Sequence, residues 1–436
     1  MKEGNKFGFW MLIALVIGNT IGAGIFMLPA SLAKIGSISL LSWIFTSTGA
    51  MLFAFVFAKM SRMVVRSGGP YAYAKSGFGD FIGFQVAFTF WISLWTGNSS
   101  LIVTLIGYLR IFFPDFISPH IAMFLGISII WIMAIINMCG IRPVGVLQIV
   151  TTIIKLIPIL IVIGIGIYFF HPEYLTKSFN ISGESNFNAF SYAATLTLWA
   201  FVGVESGCVP VGATHNPRRN IHLAMLIGTA VIAVIYIASS IAVMGMFPPE
   251  VLAHSSSPFA AAVGMVFGRW GQMFVVVCVV ISCLGALNSG LLLESQVPMA
   301  AADDGLFPKI FSRRNKAGVP GWGLAIDATL MSLFVMLTMR PNLVEQFQLV
   351  ITVAAVATLI AYLYSAMAEV VLISKGNDSA KFKKTNVLVA ILAAVYALWA
   401  IFGSGKEIIF YTSMLLFSSI LLYIYLINLE ARKSRE

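Results

Sequence analysis

Charge is what this chain has little of. Of its 436 residues only 10% are Asp, Glu, Lys or Arg, while 59% are hydrophobic, a balance foreign to a water-soluble domain. No stretch is long and polar enough to fold as a soluble unit; the largest connections, 169–189 and 299–320, run to about twenty residues each. Cysteine is scarce too. Cys139, Cys208, Cys278 and Cys283 lie in or at the ends of apolar runs, with no CxxC and no histidine at ligand spacing, so they read as buried small hydrophobes. The clustered acid, base or metal ligands of an enzyme are missing, as are the repeated filter elements of a channel. No catalytic residue, cofactor or metal is therefore expected.

What is present is a succession of apolar runs. At about 20 apolar residues per span, the length suits about twelve helices, predicted near 9–33, 38–60, 81–109, 120–139, 144–168, 190–211, 223–246, 266–298, 321–338, 346–372, 386–403 and 407–428. This is an all-α membrane protein whose surroundings are a lipid bilayer. The first run passes straight into glycines and Pro29 with no small-residue cleavage site, and is expected to be retained as a span.

The formal charge of +10 finds its reason in placement. With both termini cytoplasmic, as an even number of spans requires, nineteen of the 27 Lys and Arg fall on inner loops, six fall on outer loops, and Lys59 and Lys155 fall within spans. That bias satisfies the positive-inside rule and predicts a multi-pass inner-membrane protein. The basic residues are dispersed over short loops, so no nucleic-acid partner is expected.

Two of the runs are interrupted, one at Gly18-Asn19-Thr20-Ile21-Gly22-Ala23-Gly24 and the other at Phe201-Val202-Gly203-Val204-Glu205-Ser206-Gly207. In a bilayer an unwound backbone is tolerated only where protein buries it or where it lines a cavity, so paired breaks near mid-span predict a small-molecule site. The breaks fall in spans 1 and 6. Each could open a unit of five spans, 1–168 and 190–372; because five is odd, the units would be inverted with respect to one another, leaving 386–428 as two additional spans.

The chemistry offered by each break follows from helix ends. In span 1 the half-helix beginning after Gly24 presents unpaired N–H groups of Ala23, Gly24 and Ile25, beside Ile21 and Gly22, at the positive end of its dipole. A carboxylate suits that position. The alternative for Gly18-x-x-x-Gly22 is a helix-packing motif. In span 6 the first half-helix ends near Trp199, Ala200 and Phe201 and leaves carbonyls that suit an ammonium group. Together the breaks offer opposite poles to a zwitterion such as an α-amino acid.

Charges within spans are costly and so point to function. Lys155 lies in mid-span 5, either as a proton carrier, since apolar surroundings penalise its charged form, or as a fixed cationic pin between the broken helix and the scaffold. Glu205 at the second break could bridge helices, titrate or face a cationic substrate. Glu294 in span 8 is a second buried carboxylate, and pairing with Lys155 is one option. Asp327 and Glu369 lie near span ends and read as interfacial. Among the aromatics, Phe90, Trp91, Trp95, Trp199 and Phe201 stand out, Trp199 and Phe201 because they flank the break and could close over a ligand or stack on a cation. His215 and His222 read as ordinary loop residues.

Taken together, Gly22-Ala23-Gly24-Ile25-Phe26, Ser67-Gly68-Gly69-Pro70-Tyr71-Ala72-Tyr73, Gly203-Val204-Glu205-Ser206, Asn216-Pro217-Arg218-Arg219-Asn220 and Ala301-Ala302-Asp303-Asp304-Gly305-Leu306-Phe307-Pro308 resemble the amino acid–polyamine–organocation (APC) transporters across essentially the whole chain. The resemblance is nearest to the bacterial basic amino acid/polyamine antiporters. It implies a LeuT-type fold with a 5+5 inverted repeat, helices 1 and 6 discontinuous, and alternating access. It also implies that the amides around Gly22 and Gly24 hold a substrate carboxylate, with Trp199 as a gate, Glu205 as a gating or pH-sensitive carboxylate, Phe90 as a gating aromatic and Asn98 as a polar contact.

The branch often dimerises through its last two helices. Where the arginine exchangers carry a Trp in span 8, this chain has Asn288-Ser289-Gly290, so the lid for a guanidinium is missing, which speaks against arginine, and Ser289 becomes a candidate contact. Lys155 resembles the lysine that supports proton-linked uptake elsewhere in the superfamily, which makes proton-coupled symport the rival to exchange.

Overall fold

The computed structural model describes residues 6–22, 24–112, 118–255, 257–338, 344–376 and 384–433, nearly all of them helical. Among these residues ten helices are long and apolar enough to cross a membrane, and a bent helix pair makes an eleventh span. The shorter apolar helix Gly321–Leu337 brings the apolar segments to the expected twelve.

The first run breaks as its glycines predict. Helix α1 (Phe9–Thr20) stops and α2 (Gly24–Ala33) begins after a bend of 41°. Helix α3 (Ser39–Met63) follows, then the short α4 (Pro70–Phe78), α5 (Asp80–Phe112), α6 (Pro119–Met138), α7 (Ile141–Tyr168) and the single turn α8 (Pro172–Thr176). The second broken span starts with α9 (Asn186–Trp199) and continues as 3-10 turns over Val204–Cys208 and Val211–Ala213. Its second half is therefore not an α-helix. After it come α10 (Pro217–Met246), the short α11 (Pro249–Ala253), α12 (Pro258–Asp303), α13 (Gly321–Thr338), α14 (Val344–Ser374), α15 (Lys384–Gly403) and α16 (Lys406–Lys433).

Helix α12 departs most from its expected 266–298. It runs 46 residues, with a kink at Gly268 (φ 58°, ψ −148°), and its far end takes in the first residues of the expected 299–320 loop. Helix α12 packs along α5 and α7, and α10 packs along α3, so these helices form a scaffold against which α1 lies.

The glycine- and charge-bearing motifs turn out to be joints of that scaffold. At Gly69 (φ 53°) an added Cβ would stand 2.9 Å from Val209 Cγ2 and 3.2 Å from Cys208 Sγ, so the loop before α4 lies directly against the 3-10 half of the second broken span. Gly68 N–H donates to Val209 O (3.1 Å), and Gly212 N–H donates to Ser67 Oγ (3.0 Å). Asn216, in the left-handed region (φ 44°) that Asn tolerates, accepts Arg219 and Asn220 N–H groups on its carbonyl at 3.0 Å each and starts α10 with Pro217 at its first position. The Asp-Asp-Gly motif ends α12: Leu306 N–H reaches back to Ala301 O (2.8 Å) around Gly305 (φ 78°).

Several expectations change here. Cys139 is exposed, whereas Cys208, Cys278 and Cys283 are buried. His222 belongs to α10 and contacts Ala58 O at 3.0 Å. Asp327 and Glu369 are buried inside the protein; Glu369 lies 3.6 Å from Lys59 across α3 and α14.

Candidate functional site

The two breaks meet. Asn19, on the last turn of α1, donates its side-chain amide to Gly203 O (3.2 Å), and Ser206 donates to Leu15 O (3.3 Å). Tyr236 of α10 donates between Thr20 O (3.0 Å) and Ala200 O (3.1 Å), which are the C-terminal carbonyls of the two half-helices. Trp43 and Phe201 pack around the Tyr236 ring, at centroid separations of 5.1 and 5.3 Å, and hold that bridge from behind.

Between the breaks lies a cavity of about 460 Å³, within the range that accepts a small organic ligand. Gly22, Gly24, Ile25, Asn98, Trp199, Ala200 and Glu205 line it. Ala23 lies outside the described residues. A Cβ added to Gly24 would meet nothing within 4 Å, so the start of α2, with its unpaired N–H groups, faces open volume.

Ile21, Phe90 and Phe201 are buried away from the cavity wall, and Ser289 donates to Asn19 Oδ1 (3.0 Å) without lining it. Sequence reasoning missed Asn19 and Tyr236, which tie the breaks together, and also missed Ser93 and Thr358, which pair at 3.0 Å on the wall. Their signal was weak: a polar residue in a span, without charge.

The carbonyls at the breaks are less open than helix ends alone suggest. Ala200 O takes the Tyr236 hydroxyl, and the carbonyls of Trp199 and Phe201 accept Val202 and Val204 N–H groups at 3.2 and 3.4 Å. The negative element of the wall is instead the side chain of Glu205. Its Oε2 accepts the Tyr362 hydroxyl and the Gly203 N–H (3.1 Å), which fixes the carboxylate against the cavity. Among the described residues no Lys or Arg lines the cavity.

Lys155 does not pair with Glu294. Its ammonium donates to Gly18 O (2.8 Å), Ile21 O (2.6 Å) and Ser282 O (3.2 Å), whereas Glu294 accepts the Asn98 amide. Gln148 and Thr152, on the same face of α7 as Lys155, both donate to Ala14 O, at 3.3 and 3.1 Å. Gly18 makes this approach feasible, since a Cβ there would fall 1.8 Å from Gln148 Nε2 and 2.6 Å from Thr152 Oγ1. Gly18 therefore serves packing, while Gly22 and Gly24 serve the cavity.

Comparison with known proteins bears on the chemistry of this cavity. The family described as Amino acid permease matches residues 7–427. The putrescine transporter PotE of Escherichia coli (strain K12) is 33% identical over 421 residues, covering 97% of this chain and 96% of the relative. PotE of Haemophilus influenzae is 32% identical, covering 97% of each chain. The cadaverine/lysine antiporter of Escherichia coli (strain K12) is 31% identical over 417 residues, covering 93% of this chain and 91% of the relative.

Proposed function

The chain belongs to the amino acid permease family, among the basic amino acid and polyamine antiporters of the APC superfamily, and from that premise we propose that the cavity between its broken spans carries a cationic amine one way and a related amino acid the other. The observation that carries this reading is the wall itself: Glu205 on it, no Lys or Arg among its described residues, and the start of α2 facing the volume. The ammonium of an amine or diamine is matched by the carboxylate. The carboxylate of the counter-substrate amino acid is matched by the N–H groups at Gly24 and Ile25. One cavity then accepts both partners of an exchange in turn, which is what alternating access by a secondary exchanger requires.

The site assignments follow. Trp199 closes over the ligand, Glu205 is the gating carboxylate, Asn98 is a polar contact, and Lys155 is the pin of the first break. The two five-span units, 1–168 and 190–372, move against each other, while 386–428 stands apart and is where a second copy would dock. Its exposed apolar side chains, such as Phe410, Phe417 and Leu421, suit either lipid or such a copy. The protein sits in the inner membrane with both termini cytoplasmic, as the Lys and Arg distribution supports.

Proton-coupled symport through Lys155 is the less favoured reading, because its ammonium already has a structural role, tying the Gly18 and Ile21 carbonyls of the first break to the Ser282 carbonyl of α12. The test is counterflow in proteoliposomes. Vesicles preloaded with unlabelled putrescine, ornithine, cadaverine or lysine should take up the labelled partner quickly without a pH gradient. Uptake that collapses without the gradient, and ignores the internal load, would establish symport instead.

A further inference from the structure

A second buried polar cluster lies off the cavity, where α5, α12 and α13 pack together. Glu294 of α12 and Asp327 of α13 are both 0% exposed. Each has one oxygen engaged: Glu294 Oε1 by the Asn98 amide, Asp327 Oδ1 by Trp91 Nε1–H (2.8 Å). Each has its other oxygen, Oε2 and Oδ2, buried without a hydrogen-bond partner. Both carboxyls face α5, which supplies the donor to each. Their donors, Trp91 and Asn98, are seven residues apart and so share one face of α5 two turns apart. Trp95 lies on the same stripe, against Phe334 of α13, and its indole N–H is likewise buried without a partner.

The surrounding elements supply no cation. Helix α5 contributes Trp91, Trp95 and Asn98, all neutral. Lys155 of α7 is committed to Gly18, Ile21 and Ser282 carbonyls, and Ser282 is twelve residues along α12 from Glu294. Asn137 of α6 donates to Asn288, and Asn19 of α1 donates to Gly203. Lys75, in the last turn of α4, pairs with Asp80 and Asp304, and Arg66 pairs with Asp304. Among the described residues neither carboxylate forms an ion pair. Two ionised carboxylates so buried, neither with a cation, would be prohibitively costly, whereas a protonated carboxyl in the same place is neutral.

We propose that Glu294 and Asp327 are two proton-binding carboxyls and that occupancy of Glu294 is linked to the transport cavity through Asn98. Asn98 carries the link because it both lines the cavity and donates to Glu294. The step is protonation alone: an O–H bond forms on one carboxylate oxygen and breaks when the proton leaves, with no redox change. The coupling to cargo rests on the exchange reading above; the proton binding itself does not.

The experiment is infrared difference spectroscopy of the full-length protein in vesicles, titrated from acid to alkaline pH, with counterflow measured on the same preparation. Wild-type protein should show the carbonyl band of a buried carboxylic acid persisting at neutral pH. Glu294→Gln and Asp327→Asn should each change that band, and the double variant should lose it. Putrescine should shift the band in wild type, and Asn98→Ala should keep the band but lose the shift.

A neutral-pH band identical in wild type and double variant overturns the proton binding, as does a band abolished by sodium, which would make the cluster a metal-cation site. A band present but indifferent to putrescine overturns the linkage. Failure of wild-type counterflow with the band intact sinks the exchange reading and leaves the proton binding standing.

Discussion

Asn19 holds Gly203: the side-chain amide of the first break donates to the backbone carbonyl of the second at 3.2 Å. Gly203 sits at φ 112°, and a Cβ added there would lie 2.8 Å from Asn19 Nδ2. The conformation and the contact together require glycine. Gly203→Ala should cost about 1–2 kcal/mol from the left-handed conformation alone and, by pushing the breaks apart, should abolish exchange. Asn19→Ala, which removes the hydrogen bond without adding bulk, should lower the melting temperature modestly and slow exchange. Thermal unfolding in detergent and counterflow in vesicles measure both, and a fully active Gly203→Ala would show that the breaks need not meet for transport.

Glu205 is the charge that the cavity offers to a cation. Glu205→Gln preserves its size and its acceptor for Tyr362 but removes the negative charge, and a hydrogen bond to a charged group is worth about 1.5–3 kcal/mol. Affinity for a diamine should therefore fall by roughly tenfold to a hundredfold. Ligand-dependent thermal stabilisation provides the readout. Equal stabilisation of wild type and Glu205→Gln by putrescine would move the ammonium site elsewhere.

The parts of this site that sequence made legible are those marked by glycine or by charge. The breaks at Gly22 to Gly24 and around Gly203 are visible because consecutive small residues interrupt otherwise apolar runs, and Lys155 is visible because a charge in a span is costly. Lys155 also ends a stripe, Gln148, Thr152 and Lys155, that repeats at helical spacing along one face of α7 and meets the carbonyls of α1.

Less legible are contacts set by tertiary packing. Asp327 is only six residues into its helix, and nothing in the sequence shows its burial, which comes from Trp91 packed against Phe307 and Phe311. Tyr236 is one tyrosine among thirteen, and only the meeting of two helix ends reveals its role. Helix-end carbonyls, conversely, read as free in the sequence, whereas the Tyr236 hydroxyl occupies the one on Ala200.

Outside the spans, Asp304 fastens the end of α12 to the loop before α4. It pairs with Arg66 (2.6 Å) and Lys75 (3.0 Å) and accepts the Tyr71 hydroxyl (2.8 Å). Partial burial disfavours its charge, but these hydrogen bonds and cations outweigh burial and hold its carboxyl below the usual carboxylate range. The sign follows: a depressed folded value means stabilisation that is complete above the unfolded value, about 4, and is lost as pH falls through the folded one. Melting temperature should drop on acidification below about pH 4, and Asp304→Asn should be less stable at neutral pH with a flatter acid limb. An unchanged acid limb in Asp304→Asn would assign the loss to other carboxylates.

Lys155 separates the two modes of transport. Its ammonium satisfies carbonyls of Gly18 and Ile21 on the first break and of Ser282 on α12, so Lys155→Ala leaves buried acceptors without donors, at about 1–3 kcal/mol for each group left unsatisfied. If the lysine is a pin, Lys155→Ala should lose stability and should lose gradient-independent exchange, because the break itself is no longer held. If it carries the coupling proton, wild type should have no gradient-independent exchange to lose, and the same variant should lose uptake driven by a pH gradient. Lys155→Arg adds a control that retains the charge and cannot release it at physiological pH. Under the pin reading, arginine should recover exchange to the extent that its longer guanidinium can reach the same carbonyls. Under the carrier reading it should leave gradient-driven uptake dead, and that loss, beside a wild type that takes up substrate only with a pH gradient in the same set of vesicles, would reverse the preference for exchange.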